Sequence, residues 1–349
     1  MDFAFTDNQR AVADLTAEVL RRSDASTEAA WKGLAQSGLL GLAVPEPLGG
    51  AGLGVLETTI VLAETGRRAV ELPALATLAL GVLPLAARGT PAQQEQVLPA
   101  VAAGERLLTA ALNEPGHPLP DSPHTTATAD GRLTGRKIGV PYAAEAHRIL
   151  VPATGPDGVT GVFLLDPATT GTTLTRTPAS ATTPEYTLVL EQARTDGRLG
   201  ANAVETLYAH VLAGACALGD GLLQGAIDLT TGHLRTRHQF GKPLATFQAV
   251  AQQIADVYIA GRTLGLLARS VAWRLAEGLD ATEDLAVAGY WLAEELPAAL
   301  YACHHLHGGL GVDVDYPLHR YSAQARDLAR LVGGVDDRLT RLGAICTSN

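Results

Sequence analysis

His233-Leu234-Arg235-Thr236-Arg237-His238-Gln239-Phe240-Gly241-Lys242-Pro243-Leu244-Ala245-Thr246-Phe247-Gln248 links two long helical patterns. It gathers Arg235, Arg237, His238 and Lys242 around an aromatic side chain and a Gly-Lys-Pro break. Guanidinium and ammonium groups neutralise a pyrophosphate, and a helix starting after Pro243 offers backbone N–H groups that have no helical partner. A polyphosphate-bearing cofactor needs both. The plainer reading of the charges alone is a solvated turn between helices.

Outward from this link, 349 residues are enough to bury a sizeable core in two or three domains. The formal net charge of −10 excludes a broad nucleic-acid surface, which needs Lys and Arg in excess. Apolar residues make up 47% of the chain, but charges, Gly and Pro cut its apolar runs short of the roughly 18 residues of a membrane span. No membrane association is therefore expected. Met1-Asp2-Phe3-Ala4-Phe5-Thr6-Asp7 has neither a basic nor an apolar signal region, so the expected location is cytoplasmic. Cys216, Cys303 and Cys346 are too scattered for a disulfide framework or a zinc site and read as small core residues.

The patterning falls into three stretches. Thr6-Asp7-Asn8-Gln9 reads as a capping box that opens a helix to about Arg22. Further helices are expected from Thr27, over 55–67 and 74–88, and after Thr90-Pro91-Ala92-Gln93, where Pro sits at the first helical position. Seven short segments rich in Thr, Val, Ile and Leu follow: 107–112, 125–129, 132–138, 148–153, 161–165, 172–176 and 185–191. Turn signals such as Asp130-Gly131 separate them, which is the mark of strands. Helical patterning resumes at Asn202, with Phe247, Val250, Ala251, Ile254, Val257 and Tyr258 expected on one face. The expected fold is α+β: a helical domain at 1–106, a β sandwich or barrel at 107–197, and a helical bundle at 198–349.

Arg237-His238-Gln239-Phe240-Gly241-Lys242-Pro243, with Phe247-Gln248 after it, resembles the R-x-x-F-G-K-P…F-Q signature of the acyl-CoA dehydrogenase family. Pro45-Glu46-Pro47-Leu48-Gly49-Gly50-Ala51-Gly52 resembles the same family's P-E-x-x-G-G-x-G loop, and His305-Leu306-His307-Gly308-Gly309-Leu310-Gly311, followed by Tyr316-Pro317, its Q-x-x-G-G-x-G segment. In that last segment His305 stands at the Gln position. Glycine lets backbone approach a ligand closely because it has no Cβ. The resemblance implies the helical, β, helical order, FAD as cofactor, and contacts to it from Arg237, His238, Gln239, Phe240, Phe247, Gln248, His305, Leu306, His307, Gly308 and Gly309. His304, His305 and His307 also invite a metal reading, but no carboxylate stands beside them at helical spacing and no metal is expected.

The family reaction removes the α-proton of an acyl-CoA thioester while hydride leaves Cβ for the flavin, so it needs a carboxylate base and a firmly held ring. Counting from Tyr316 puts one family position for the base at Val332, and counting back from Phe240 puts the other near Val211; neither is an acid. Where the family carries T-E-P-x-x-G-S-D, this chain has Asn113-Glu114-Pro115-Gly116-His117-Pro118-Leu119-Pro120. Where the family carries W-I-T, it has Gly139-Val140-Pro141, and Pro141 cannot donate a backbone N–H. No catalytic residue is therefore assigned.

Leu112-Asn113-Glu114-Pro115-Gly116, His304-His305-Leu306-His307-Gly308-Gly309 and Asp315-Tyr316-Pro317-Leu318-His319-Arg320-Tyr321 resemble the smaller subunit of the heterotetrameric (α2β2) steroid-CoA dehydrogenases of bacterial cholesterol side-chain degradation. The resemblance implies a subunit that completes the FAD site of a homologous catalytic partner in oxidising an acyl-CoA, with an acceptor like electron-transfer flavoprotein compatible. Two rivals stand beside it. One is a self-sufficient homo-oligomer with a relocated base, for which Asp220, Glu205 and His210 are candidates; the other is a flavin-free scaffold that kept the fold.

Overall fold

Thr6 and Gln9 close a reciprocal capping box: Gln9 N–H donates to Thr6 Oγ1 at 3.2 Å and Thr6 N–H to Gln9 Oε1 at 3.1 Å. Helix α1 follows as Asp7–Arg22. The computed structural model describes residues 4–23 and 26–348. They fall into two compact units, one within residues 5–61 and 71–214, the other made of residue 4 and residues within 62–70 and 215–348.

In the first unit, α2 (Thr27–Gln36) and the first part of α3 (Val55–Arg67) precede a π-helical stretch, Leu75–Val82, that leads into α4 (Leu83–Arg88). Helix α5 (Pro91–Ala102) opens on the expected capping box of Thr90 and Gln93. In the loop before α3, a Cβ on Gly50 would stand 2.0 Å from the Val44 carbonyl oxygen, so only glycine fits there.

Strands β1 (Leu107–Ala110), β2 (Thr126–Ala127), β3 (Arg132–Pro141), β4 (Ala146–Thr154), β5 (Thr160–Leu165), β6 (Thr172–Thr177) and β7 (Glu185–Arg198) form one sheet. Pairing runs from β4 through β2, β3, β7 and β5 back to β4 and so closes a ring; β1 lies outside it on β4 and β6 on β7. Between the two alternatives left by the sequence, this is a barrel, which has fewer open edges to protect. Leu133, Ile149, Val151, Phe163, Leu165, Leu188 and Leu190 fill its core. Strand β7 continues seven residues beyond the expected 191, past Gln192 with φ 55°, because its polar second half pairs with β5 at Leu165↔Thr195 and Phe163↔Arg198.

The helix after the sheet, α6 (Ala203–Thr236), corrects the expectation that no apolar run is long enough to span a membrane. It is long and apolar enough by length and composition, with a mean hydropathy of 1.3, yet 78% of that window is buried, as in a core helix. Its glycines are packing sites rather than breaks. Within the second unit, a Cβ on Gly221 would stand 1.9 Å from the Ala63 carbonyl oxygen and one on Gly225 2.1 Å from that of Arg67, so backbone touches backbone where α6 meets the end of α3.

Helices α7 (Gln248–Ala276), α8 (Thr282–His307), α9 (Leu318–Leu331) and α10 (Gly334–Ser348) complete this unit. Leu264 and Val271 of α7 and Leu292 and Leu296 of α8 are fully buried, each contributing about 1.5–3 kcal/mol. The buried stripe of α7 runs through Val257, Ala260, Gly261, Leu264 and Ala268, whereas Ala251 and Tyr258 are exposed. The apolar face read from the sequence therefore needs correction: it is rotated from the true one. Cys216 and Cys303 are core residues as expected, but Cys346 is exposed near the end of α10.

Candidate functional site

The Arg237 segment is built by a hairpin that the sequence did not announce. His238–Gln239 (β8) pairs antiparallel with Lys242–Pro243 (β9) around Phe240 and Gly241, whose φ values of 52° and 79° are those of a tight two-residue turn. Arg237 N–H donates to the His233 carbonyl at 2.8 Å as the last bond of α6, and its own carbonyl accepts from Leu244 N–H at 2.9 Å. A single 3-10 turn, Leu244–Thr246, follows Pro243, and α7 begins at Gln248 rather than directly after the proline.

Side chains on this hairpin are left to solvent. Arg237 is exposed, and its guanidinium forms no ion pair or hydrogen bond among the described residues. Phe240 is 91% exposed. Its ring meets that of Phe247 edge-on at 6.1 Å, and the Lys242 ammonium lies 4.3 Å from the Phe247 centroid. His238 Nδ1 is tied to the Thr236 carbonyl at 3.0 Å. Phe247 is the N-cap of α7 and cannot cap it, so the first N–H groups of α7, beside the exposed Gln248, have no side-chain acceptor.

The second predicted segment lies at the end of α8. Gly308 adopts φ 60° and ψ −139°, a conformation open to glycine, and a Cβ built on Gly308 or Gly309 would meet nothing within 4 Å. This backbone is therefore uncovered. His305 is exposed and its Nδ1 lies 3.2 Å from Gln253 Oε1 of α7. Leu306 and His307 turn inward: Leu306 is 7% exposed, while His307 shares Nδ1 with the Cys303 carbonyl at 2.8 Å and Nε2 with the Tyr316 hydroxyl at 3.0 Å. Any ligand contact at these two positions is left to their backbone.

These features suit a dinucleotide cofactor at its pyrophosphate end. They comprise a free guanidinium, an uncapped helix start and an open glycine backbone. The positions where the family holds the flavin ring suit it poorly. Asn113 Oδ1 accepts Leu119 N–H at 3.0 Å and its backbone pairs with Ile138, Val140 is wholly buried, and Pro141 pairs with Glu185. Glu114 accepts Thr125 Oγ1 at 2.6 Å and Lys137 Nζ at 2.9 Å. Burial raises its carboxyl, but these hydrogen bonds outweigh burial and hold it at about 2; burial lowers Lys137 to about 8. Ligating atoms of Glu114, His117 and His124 come within 4.8 Å of one another, yet the Lys137 ammonium already serves that carboxylate, and a dication would have to face it.

The two positions counted for a base, Val211 and Val332, are fully buried valines. Among the candidates for a relocated base, Glu205 is exposed and His210 is pushed down by burial to about 4, which makes it a weak base. Asp220 is pushed up by burial to about 6 and packs against Gly265, where a Cβ would stand 2.8 Å from Asp220 Oδ1. Nothing in the sequence pattern foretold that contact.

Comparison with known proteins agrees with this architecture. Residues 5–105 match the acyl-CoA dehydrogenase N-terminal domain and residues 200–344 the acyl-CoA dehydrogenase C-terminal domain. The chain is 47% identical to acyl-CoA dehydrogenase FadE28 of Mycobacterium tuberculosis (strain ATCC 25618 / H37Rv) over 349 residues, covering 99% of each. Among solved structures it is similar to a variant of the Tcur3481-Tcur3483 steroid ACAD, with 33% identity, a TM-score of 0.93 and 98% of each chain covered. It is also similar to the ChsE4-ChsE5 complex from Mycobacterium tuberculosis, with 32% identity, a TM-score of 0.92 and 100% of each chain covered. With both terminal domains matched and a relative this similar along its whole length, the chain belongs to the acyl-CoA dehydrogenase family.

Proposed function

We propose that this chain is the smaller, non-catalytic subunit of an α2β2 acyl-CoA dehydrogenase and completes the FAD site of a homologous catalytic partner. The observation that carries this reading is an asymmetry: the pyrophosphate-binding features are intact and exposed, while both base positions hold buried valines. FAD, the cofactor of the family, would supply the hydride acceptor. Arg237 would pair with its pyrophosphate, the first N–H groups of α7 would face the same charge, and His238, Gln239, Phe240, Phe247, Gln248 and His305, with the backbone from Leu306 to Gly309, would line its adenosine side. The α-proton would leave to a carboxylate of the partner, since this chain offers none at the counted positions.

Exposed apolar side chains support a protein partner. Phe240 stands at the hairpin tip, Tyr258 (55%), Ile259 (60%) and Leu266 on α7, and Tyr301 (77%) on α8. A partner packing on this unit would cover such side chains. A similar structure named for a steroid ACAD supports a steroid-CoA substrate, and one named for a two-component complex supports an unlike partner. A shortened side chain and a setting in cholesterol catabolism are part of this proposal. A cytoplasmic location, an acceptor like electron-transfer flavoprotein and the three-domain division at residues 106 and 197 belong to the same reading.

The test is to purify the chain alone and with a co-expressed homologous partner, measuring flavin absorbance and acyl-CoA oxidation in each. Flavin and turnover only in the complex are expected. Turnover by the chain alone would overturn the reading in favour of a relocated base, and flavin in neither sample would favour a scaffold.

A further inference from the structure

Three rings meet between the two predicted cofactor segments. His233, one turn before Arg237 on α6, stacks on His307 with centroids 4.6 Å apart and planes at 22°. The Tyr316 ring lies 5.2 Å from His307, tilted by 54°. His307 immediately precedes Gly308, so the stack ties the last turn of α6 to the last turn of α8.

Hydrogen bonding fixes the middle ring. The Cys303 carbonyl can only accept, so His307 Nδ1 carries the proton; Nε2 of the neutral ring is then the acceptor for the Tyr316 hydroxyl. Burial holds both His233 and His307 below the usual imidazole range, so two neutral rings stack without like-charge repulsion. His304, on the same helix end, lies within hydrogen-bond distance of Ser322 Oγ instead.

We infer that His307 is a positioning residue: clamped between His233 and Tyr316, it holds the Gly308–Gly309 turn in fixed relation to the Arg237 end of α6. This rests on the cofactor reading above. Such pre-organisation matters because a loop that must be ordered on binding weakens the ligand by the cost of ordering it. The Tyr316 hydroxyl contributes through His307 and need not touch the cofactor.

The experiment has two readouts, on wild type, His307→Phe, Tyr316→Phe and the double variant. The first is amide hydrogen exchange across residues 308–312 in the chain alone. The second is FAD affinity of the complex with its co-expressed partner. Each single variant should speed exchange there and weaken FAD by roughly five- to tenfold, the value of a hydrogen bond. Because both remove the same bond, the double variant should be little worse than His307→Phe alone. Unchanged exchange in the variants, or effects that simply add, would overturn the inference. If exchange responds as expected while the wild-type complex holds no FAD, the positioning stands and the cofactor reading fails.

Discussion

Lys137 Nζ stands 2.9 Å from Glu114 Oε1 with both side chains sealed from solvent, joining β3 to the loop that follows β1. Glu114 also accepts the backbone N–H groups of His124 at 2.7 Å and Thr125 at 2.9 Å, so one carboxylate organises an eleven-residue excursion. Lys137→Met leaves that carboxylate buried without its counter-charge and should cost about 3–5 kcal/mol in urea unfolding.

The same pair predicts acid sensitivity. Glu114 titrates at about 2 in the fold, below its ordinary 4.5, so between those values the unfolded chain binds the extra proton. The stabilisation is complete above about pH 4.5 and is lost as pH falls toward 2. Melting temperature followed over that range should fall more steeply for wild type than for Glu114→Gln.

Asp220 works in the opposite sense. Burial raises it from 3.8 to about 6, against the pull of Arg269, Arg262 and Arg67, so the folded chain holds the extra proton in that window. Its favourable contribution is present below about pH 3.8 and is lost as pH rises through 6. Asp220→Asn keeps the shape beside Gly265 and should stabilise the protein at pH 7 by up to about 3 kcal/mol. A melting temperature at pH 7 no higher than wild type would show that the arginines already compensate the charge.

Val332 is fully buried at the C-cap of α9, where its N–H donates to the Leu328 carbonyl. Val332→Glu places an unpaired acid in that core, so it should unfold at lower denaturant by about 3–5 kcal/mol and show no acyl-CoA turnover as an isolated chain. Turnover by this variant alone would mean that the ring-binding positions are intact.

Local features were legible in the sequence. The capping boxes of Thr6 and Thr90 depend on residues three apart, and most strands could be placed from their turn signals. What escaped depends on distant partners. Barrel closure rests on β5 returning to β4, and the second half of β7 is too polar to read as a strand without the neighbour it pairs with. The glycines of α6 looked like interruptions because the α3 backbone they admit cannot be seen locally. At the site, the Arg237 motif was legible as chemistry, but the two-residue strands beside Phe240 are too short to leave a pattern. The inward turn of His307 was not legible either, since it depends on Tyr316, nine residues on, and on His233 from another helix.

The central claim is that Arg237 serves a cofactor held mainly by another subunit, and the FAD-to-protein ratio of the purified complex tests it most directly. A charge-assisted contact to pyrophosphate is worth about 1.5–3 kcal/mol, so Arg237→Ala should weaken FAD roughly ten- to a hundredfold. Because the side chain is exposed on a hairpin, the complex should still assemble and recover flavin at high added FAD. Arg237→Lys should lie between, keeping the charge but losing the two-pronged geometry. A ratio in Arg237→Ala equal to wild type would contradict the account.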